Sequence, residues 1–123
     1  MEPLKKKRDF RRVIYGGQRI RLRYLSAYLA ANDLGKPRVG ISLSRKIGGS
    51  VIRNRIKRRI REAVRLVLKE TGREGLCMDM VFFPTREAGI APFGELKAEI
   101  EEFIRRGREH IFKENDGHIG GNG

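Results

Sequence analysis

Between Gly48-Gly49-Ser50 and Thr71-Gly72 the chain has room for one long helix and little else. Ile52, Ile56, Ile60, Ala63, Val64, Val67 and Leu68 recur at intervals of three and four residues, which places them on one side of a helix over about residues 51–69. The other side is cationic. Lys57, Arg61 and Arg65 follow one another at i, i+4 and i+8, with Arg58 beside them, and Glu62 is the one acid between Arg53 and Arg65. Solubilising helix faces mix their charges, whereas this one is almost pure and prefers arginine to lysine. A guanidinium fork meets phosphate oxygens in pairs, so the spacing predicts a helix that buries its apolar back and turns its front to a polyanion.

The charge of the whole chain points the same way. The net charge is +13, and residues 1–65 carry +16 of it while residues 66–123 carry −3. Such an imbalance repels itself in the folded state unless a polyanion relieves it. Nucleic acid is the first candidate and an acidic membrane surface the second. No run of eighteen apolar residues exists, and the basic N-terminus lacks the apolar stretch of a secretory signal. A single cysteine, Cys77, excludes an internal disulfide framework, and a cytoplasmic location is expected.

The remaining pattern predicts one domain over residues 1–113, opened by a basic arm at 1–8 and followed by a disordered glycine-rich tail at 114–123. Asp9 caps a short helix with Phe10, Val13 and Ile14 on one face, and Gly16-Gly17 supplies a left-handed stop. Residues 19–31 read as a strand with a bulge or with both faces buried, and Asn32 to Pro37 as a turn able to close a hairpin. Arg38 to Lys46 is a second strand, with Val39, Ile41 and Leu43 on one face and the small Gly40, Ser42 and Ser44 on the other. Ser50 is the expected N-cap of the long helix. Leu76 to Pro84 reads as a central strand, and a last helix covers about residues 93–112 with a possible break at Gly107.

Candidate chemistry is sparse. Cys77, His110 and His118 are too scattered for a zinc site, and Cys77 is expected in the core. The acids of the last helix sit near Lys97, Arg105, Arg106 and Arg108 and read as local ion pairs. Asp79, inside an apolar strand, either faces solvent or accepts a hydrogen bond from a buried donor. The Gly48-Gly49-Ser50 turn has its lysine before the glycines rather than after them, so it is no nucleotide loop. It does open a helix, and free N–H groups there favour a phosphate, with Arg45, Lys46, Arg53 and Arg55 around them. A strand where a helix-turn-helix needs its first helix favours RNA or single strands over duplex DNA. Phe10, Tyr24 and Tyr28 are candidates for base stacking or for the core.

The block RNRIKRRIRE from Arg53 to Glu62 resembles the signature of the bacterial ribonuclease P protein family. SRKIGGSVIRNR from Ser44, LKKKRDFRRVIYGG from Leu4 and RVGISLS from Arg38 resemble it as well, so the likeness runs from about Leu4 to Phe112. The resemblance implies an α+β fold: an α-β sandwich with a four-stranded sheet and a left-handed β-α-β crossover, like domain 2 of ribosomal protein S5. It implies a partner, the catalytic RNA, and a substrate, precursor tRNA, whose 5′ leader is cut off. The RNA would hold the catalytic magnesium ions. The protein would bind no cofactor, supply no catalytic side chain, and need neither a membrane nor another protein.

Two surfaces are implied. Catalytic-RNA contacts fall on Arg45, Lys46, Ser50, Arg53, Asn54, Arg55, Lys57, Arg58, Arg61 and Arg65. Leader contacts fall on Phe10, Arg11, Ile14 and Tyr28. Ile14 stands where family members often carry an aromatic ring, and Gly49 where a polar or small residue is more usual. Two rival classes are a structural ribosomal protein and a stand-alone metal-dependent nuclease. The block after Lys46 counts against the first, and the lack of a carboxylate or histidine cluster against the second.

Overall fold

The computed structural model describes the backbone through Asn122 and the side chains through Ile111, so the tail at 114–123 lies outside the residues described in full. A five-stranded mixed sheet, in the order β1-β4-β5-β3-β2, carries two helices on one face and one on the other. The elements are β1 (Glu2–Pro3), α1 (Lys7–Gly16), β2 (Gln18–Arg21), β3 (Leu25–Ala31), β4 (Arg38–Ile41), α2 (Ser50–Glu70), β5 (Met78–Pro84) and α3 (Phe93–Asn122). β4 and β5 are parallel neighbours joined through α2; β3 pairs antiparallel with β5, and β2 with β3.

The expected four strands are therefore five. Part of the basic arm is the extra one: β1 lies parallel to β4, and the Leu4 N–H donates to the Val39 carbonyl at 2.8 Å. Leu4 is 5% exposed, so one apolar side chain anchors a segment that otherwise reads as charge.

Residues 19–31 form a hairpin rather than one strand, with Arg23 and Tyr24 at its tip. Neither residue has turn chemistry. The tip is held from far away: the Glu99 carboxylate accepts the Tyr24 N–H at 2.9 and 3.0 Å, and Thr85 donates to the Tyr24 carbonyl. Burial pushes the Glu99 carboxyl up, partly offset by the N–H groups of Tyr24 and Arg23. Asn32 to Pro37 closes no hairpin, because β5 inserts between β3 and β4.

The pleat sorts the core. Leu25, Ala27, Leu29, Val39, Met80 and Phe82 face α2 and α3, whose Ile56, Ile60, Val64, Leu96, Ile100 and Phe103 complete the main core. Phe82 and Phe103 meet edge to face at 5.3 Å, a contact worth about 1 kcal/mol beyond its buried area. Gly107 does not break α3. It is buried where the helix crosses β3, and a Cβ there would stand 2.4 Å from a Leu29 methyl. Cys77 is exposed, just ahead of β5, and not in the core.

α1 begins before Asp9: Lys6 is its N-cap, and Asp9 lies in the first turn. Its end is not left-handed either, since Gly17 is extended at φ −99°. Glycine is needed there for space. A Cβ would sit 2.3 Å from the Leu29 carbonyl oxygen and 2.4 Å from that of Val13. Both obstacles are backbone, so Gly17→Ala is expected to destabilise the fold by about 2 kcal/mol, read as a lower urea midpoint. An unchanged midpoint would mean that α1 can lift from β3 at no cost.

Candidate RNA interface

The helix α2 is fixed at its back and at one flank. Ile56, Ile60, Ala63, Val64, Val67 and Leu68 are buried against the sheet and α3. At the flank the Arg59 guanidinium donates to the carbonyls of Ala88, at 2.6 Å, and Ala91. Burial, and then the charge of Arg55, push its pKa down. Arg59 thus fastens α2 to the turn at Arg86–Gly89 and is spent on the fold.

With the back fixed, the crest falls on Asn54, Arg55, Arg58, Arg61 and Arg65, all exposed. Lys57 and Arg53 are half-buried on the other flank, and the Arg53 Nε is buried with no hydrogen-bond partner among the described residues. Arg65 shares its guanidinium with Glu62, at 2.6 and 3.1 Å, and this hydrogen bond raises its pKa and lowers that of Glu62. Arg53, Arg55, Lys57, Arg58 and Arg61 form no ion pair among the described residues. Their mutual repulsion is held in place by the apolar back of the same helix.

The approach to α2 adds to this face. Ser44 accepts the Lys46 N–H at 3.0 Å and opens a single 3-10 turn at Arg45–Ile47, with Arg45 and Lys46 exposed. Gly48 then takes φ 154°, a conformation that favours glycine. The N-cap of α2 is Gly49, and Ser50 is its first residue. Among the described residues no side chain caps the helix, and its first turn follows closely on the exposed Arg45 and Lys46. That arrangement suits a phosphate.

The opposite face of the sheet is covered by α1 alone. Leu4, Val13 and Val81 form a small second core, with Phe10, Ile14, Tyr28, Ala30 and Phe83 packed half-open around it. Phe10 rests on Gly40: a Cβ at residue 40 would lie 2.5 Å from the ring. Gly40 thus gives the ring of Phe10 room to lie on β4. Tyr28 and Phe83 meet edge to face at 5.7 Å. Phe10, Ile14 and Tyr28 therefore pack, partly exposed, around one small apolar cluster, with exposed Arg11 on the adjoining side of α1. Tyr24 is buried in the main core and is not part of it.

Phe83 was missed in the sequence. Phe82-Phe83 lies in a run apolar on both faces, and only the alternation of a strand sends one ring to the main core and the other to the small cluster under α1.

Beneath the other side of α1 lies Asp79, wholly buried. It accepts from Arg38 at 2.7 and 2.9 Å, from Asn32 at 2.8 Å and from Arg12. Burial pushes its carboxyl up, but hydrogen bonds from Arg38 and Asn32 and the charges of Arg38 and Arg12 outweigh this and hold it low. Arg38 also reaches Asp9 at 3.4 Å, so the network ties α1 to β4 and β5. Among the described residues no three His, Cys, Asp or Glu side chains stand together as metal ligands.

The family described as Ribonuclease P matches residues 1–108. The chain belongs to the ribonuclease P protein family. The ribonuclease P protein component of Clostridioides difficile (strain 630) is 37% identical over 103 residues, covering 84% of this chain and 89% of that protein. That of Caldanaerobacter subterraneus subsp. tengcongensis is 39% identical over 103 residues, covering 84% and 86%. Among solved structures, the Staphylococcus aureus RNase P protein superposes with a TM-score of 0.70 at 28% identity, over 85% of this chain and 94% of that one. The RNase P protein from Thermotoga maritima shares the fold, with a TM-score of 0.72 at 24% identity over 86% and 97%. The protein is thus the protein subunit of ribonuclease P, an RNA-based ribonuclease, and it serves the removal of 5′ leaders from precursor tRNA.

Proposed function

We propose that the two faces divide this work. The crest of α2 and the turn before it bind the catalytic RNA through Arg45, Lys46, Ser50, Arg53, Asn54, Arg55, Lys57, Arg58, Arg61 and Arg65. The cleft between α1 and the sheet takes the single-stranded leader on Phe10, Ile14 and Tyr28, with Arg11 on its rim. The RNA holds the magnesium ions and performs the cleavage. The protein screens phosphate repulsion between catalytic RNA and substrate and keeps the leader in line. Kinship to domain 2 of ribosomal protein S5, with a left-handed β4-α2-β5 crossover, belongs to the same reading.

The observation that carries it is the row of Arg55, Arg58 and Arg61, which form no ion pair among the described residues and are held outward by the apolar back of the helix. The test adds the protein to its matching catalytic RNA at low magnesium with a labelled precursor tRNA. Leader release is expected from the mixture and not from the protein alone. Release by the protein alone, or no stimulation of the RNA, would defeat the division of labour.

A further inference from the structure

The strand β2 carries two cations that neither surface above uses. Ile20 is 6% exposed and faces the main core, so its neighbours Arg19 and Arg21 point to the opposite face. The register puts Arg19 directly opposite Tyr28 and Arg21 directly opposite Ser26. Residues paired in this way have their Cβ atoms about 5 Å apart on the same face. Ser26 in turn stands opposite Phe83. The floor of the cleft, Phe83 to Ser26 and Tyr28, therefore runs without a step onto two exposed arginines at the sheet edge. Along the strand their guanidinium stems are about 7 Å apart. Neither joins an ion pair among the described residues.

Building on the leader reading, we propose that the leader path continues past Tyr28 onto β2. There Arg19 and Arg21 each neutralise a backbone phosphate of nucleotides beyond those held in the cleft. Charge on an edge strand also discourages pairing with a second chain. That role works from any exposed position, whereas these two arginines extend the cleft that holds Tyr28. Contact to phosphate is indifferent to base identity, so this hold adds affinity for longer leaders without adding sequence preference.

The test uses the reconstituted protein–RNA enzyme and precursor tRNAs with leaders of about two and about ten nucleotides, which span roughly 7 and 34 Å at about 3.4 Å per nucleotide. The double variant Arg19→Ala/Arg21→Ala is expected to bind the long-leader substrate about tenfold more weakly and the short-leader substrate as before. Its salt slope on the long leader should fall by about 1.4, two phosphates' worth for a single strand. Arg19→Lys/Arg21→Lys should keep most of that slope. If the alanine variant matches the original protein on both substrates while Tyr28→Ala still loses the long leader, the β2 path is wrong and the cleft stands. If neither variant distinguishes the two substrates, both the path and the cleft reading fall. Equal losses on both leader lengths would place the arginines elsewhere and also overturn the path.

Discussion

Alanine at both Arg55 and Arg58 is expected to weaken binding of the catalytic RNA about a hundredfold at moderate salt. A hydrogen bond to a charged group is worth about 1.5–3 kcal/mol, so two lost contacts cost about 3 kcal/mol or more. The dependence on salt should flatten by about 1.4–1.8 in the log–log slope, because two phosphates regain their counterions. These residues suit the test because they are exposed and form no ion pair among the described residues. Two neighbours serve as contrasts. Arg65→Ala should cost less, since its guanidinium is already shared with Glu62. Arg59→Ala should cost stability first, because it releases the carbonyls of Ala88 and Ala91. Titrations at several salt concentrations, with thermal unfolding beside them, separate the cases. An unchanged slope for the Arg55/Arg58 variant would remove the crest from the interface.

The largest loss of stability is expected at Asp79. Asp79→Ala leaves Arg38 and Arg12 beneath α1 without the carboxylate that holds them, and such half-broken buried pairs cost about 3–5 kcal/mol. Arg12 and Arg38 keep some solvent, which places the expected loss near 3 kcal/mol. The same network gives a pH dependence of known sign. The folded carboxyl titrates below its unfolded value, so its contribution is complete above the ordinary aspartate range and is lost as pH falls through the lower folded value. Urea midpoints at neutral pH and near pH 3 should differ more for the original protein than for Asp79→Asn, which keeps the shape but has no charge to lose. Parallel pH profiles for the two would show that Asp79 is not the titrating group.

Different parts of this molecule were legible for different reasons. The helix α2 was readable because its apolar stripe alone sets its rotation, and the cationic crest follows from that rotation. What the stripe does not reveal is which arginine of Arg58-Arg59 is spent on the fold, because the carbonyls of Ala88 and Ala91 arrive from a distant turn. The hairpin at Arg23-Tyr24 was read as one strand for a related reason: Glu99 and Thr85, not turn residues, bend it. Asp79 was ambiguous until Arg38 and Asn32, some forty residues upstream, were seen to converge on it. The grouping of Phe10, Ile14 and Tyr28 came through resemblance rather than periodicity, since a half-open ring and a core ring obey the same spacing. The place of Phe83 in that cluster and the alignment of Arg19 and Arg21 with Tyr28 and Ser26 depend on strand pairing, which no local pattern encodes.

The sheet separates the two surfaces proposed to meet nucleic acid, with the α2 crest outside one layer and the Phe10–Tyr28 cluster on the other. A single rigid slab of backbone therefore works as a gauge block. Whatever strand touches one side is kept at a set stand-off from whatever touches the other, and neither can shift without the whole slab shifting. On the proposed division of faces, enzyme and substrate are spaced by the thickness of a folded layer rather than by the slack of a linker.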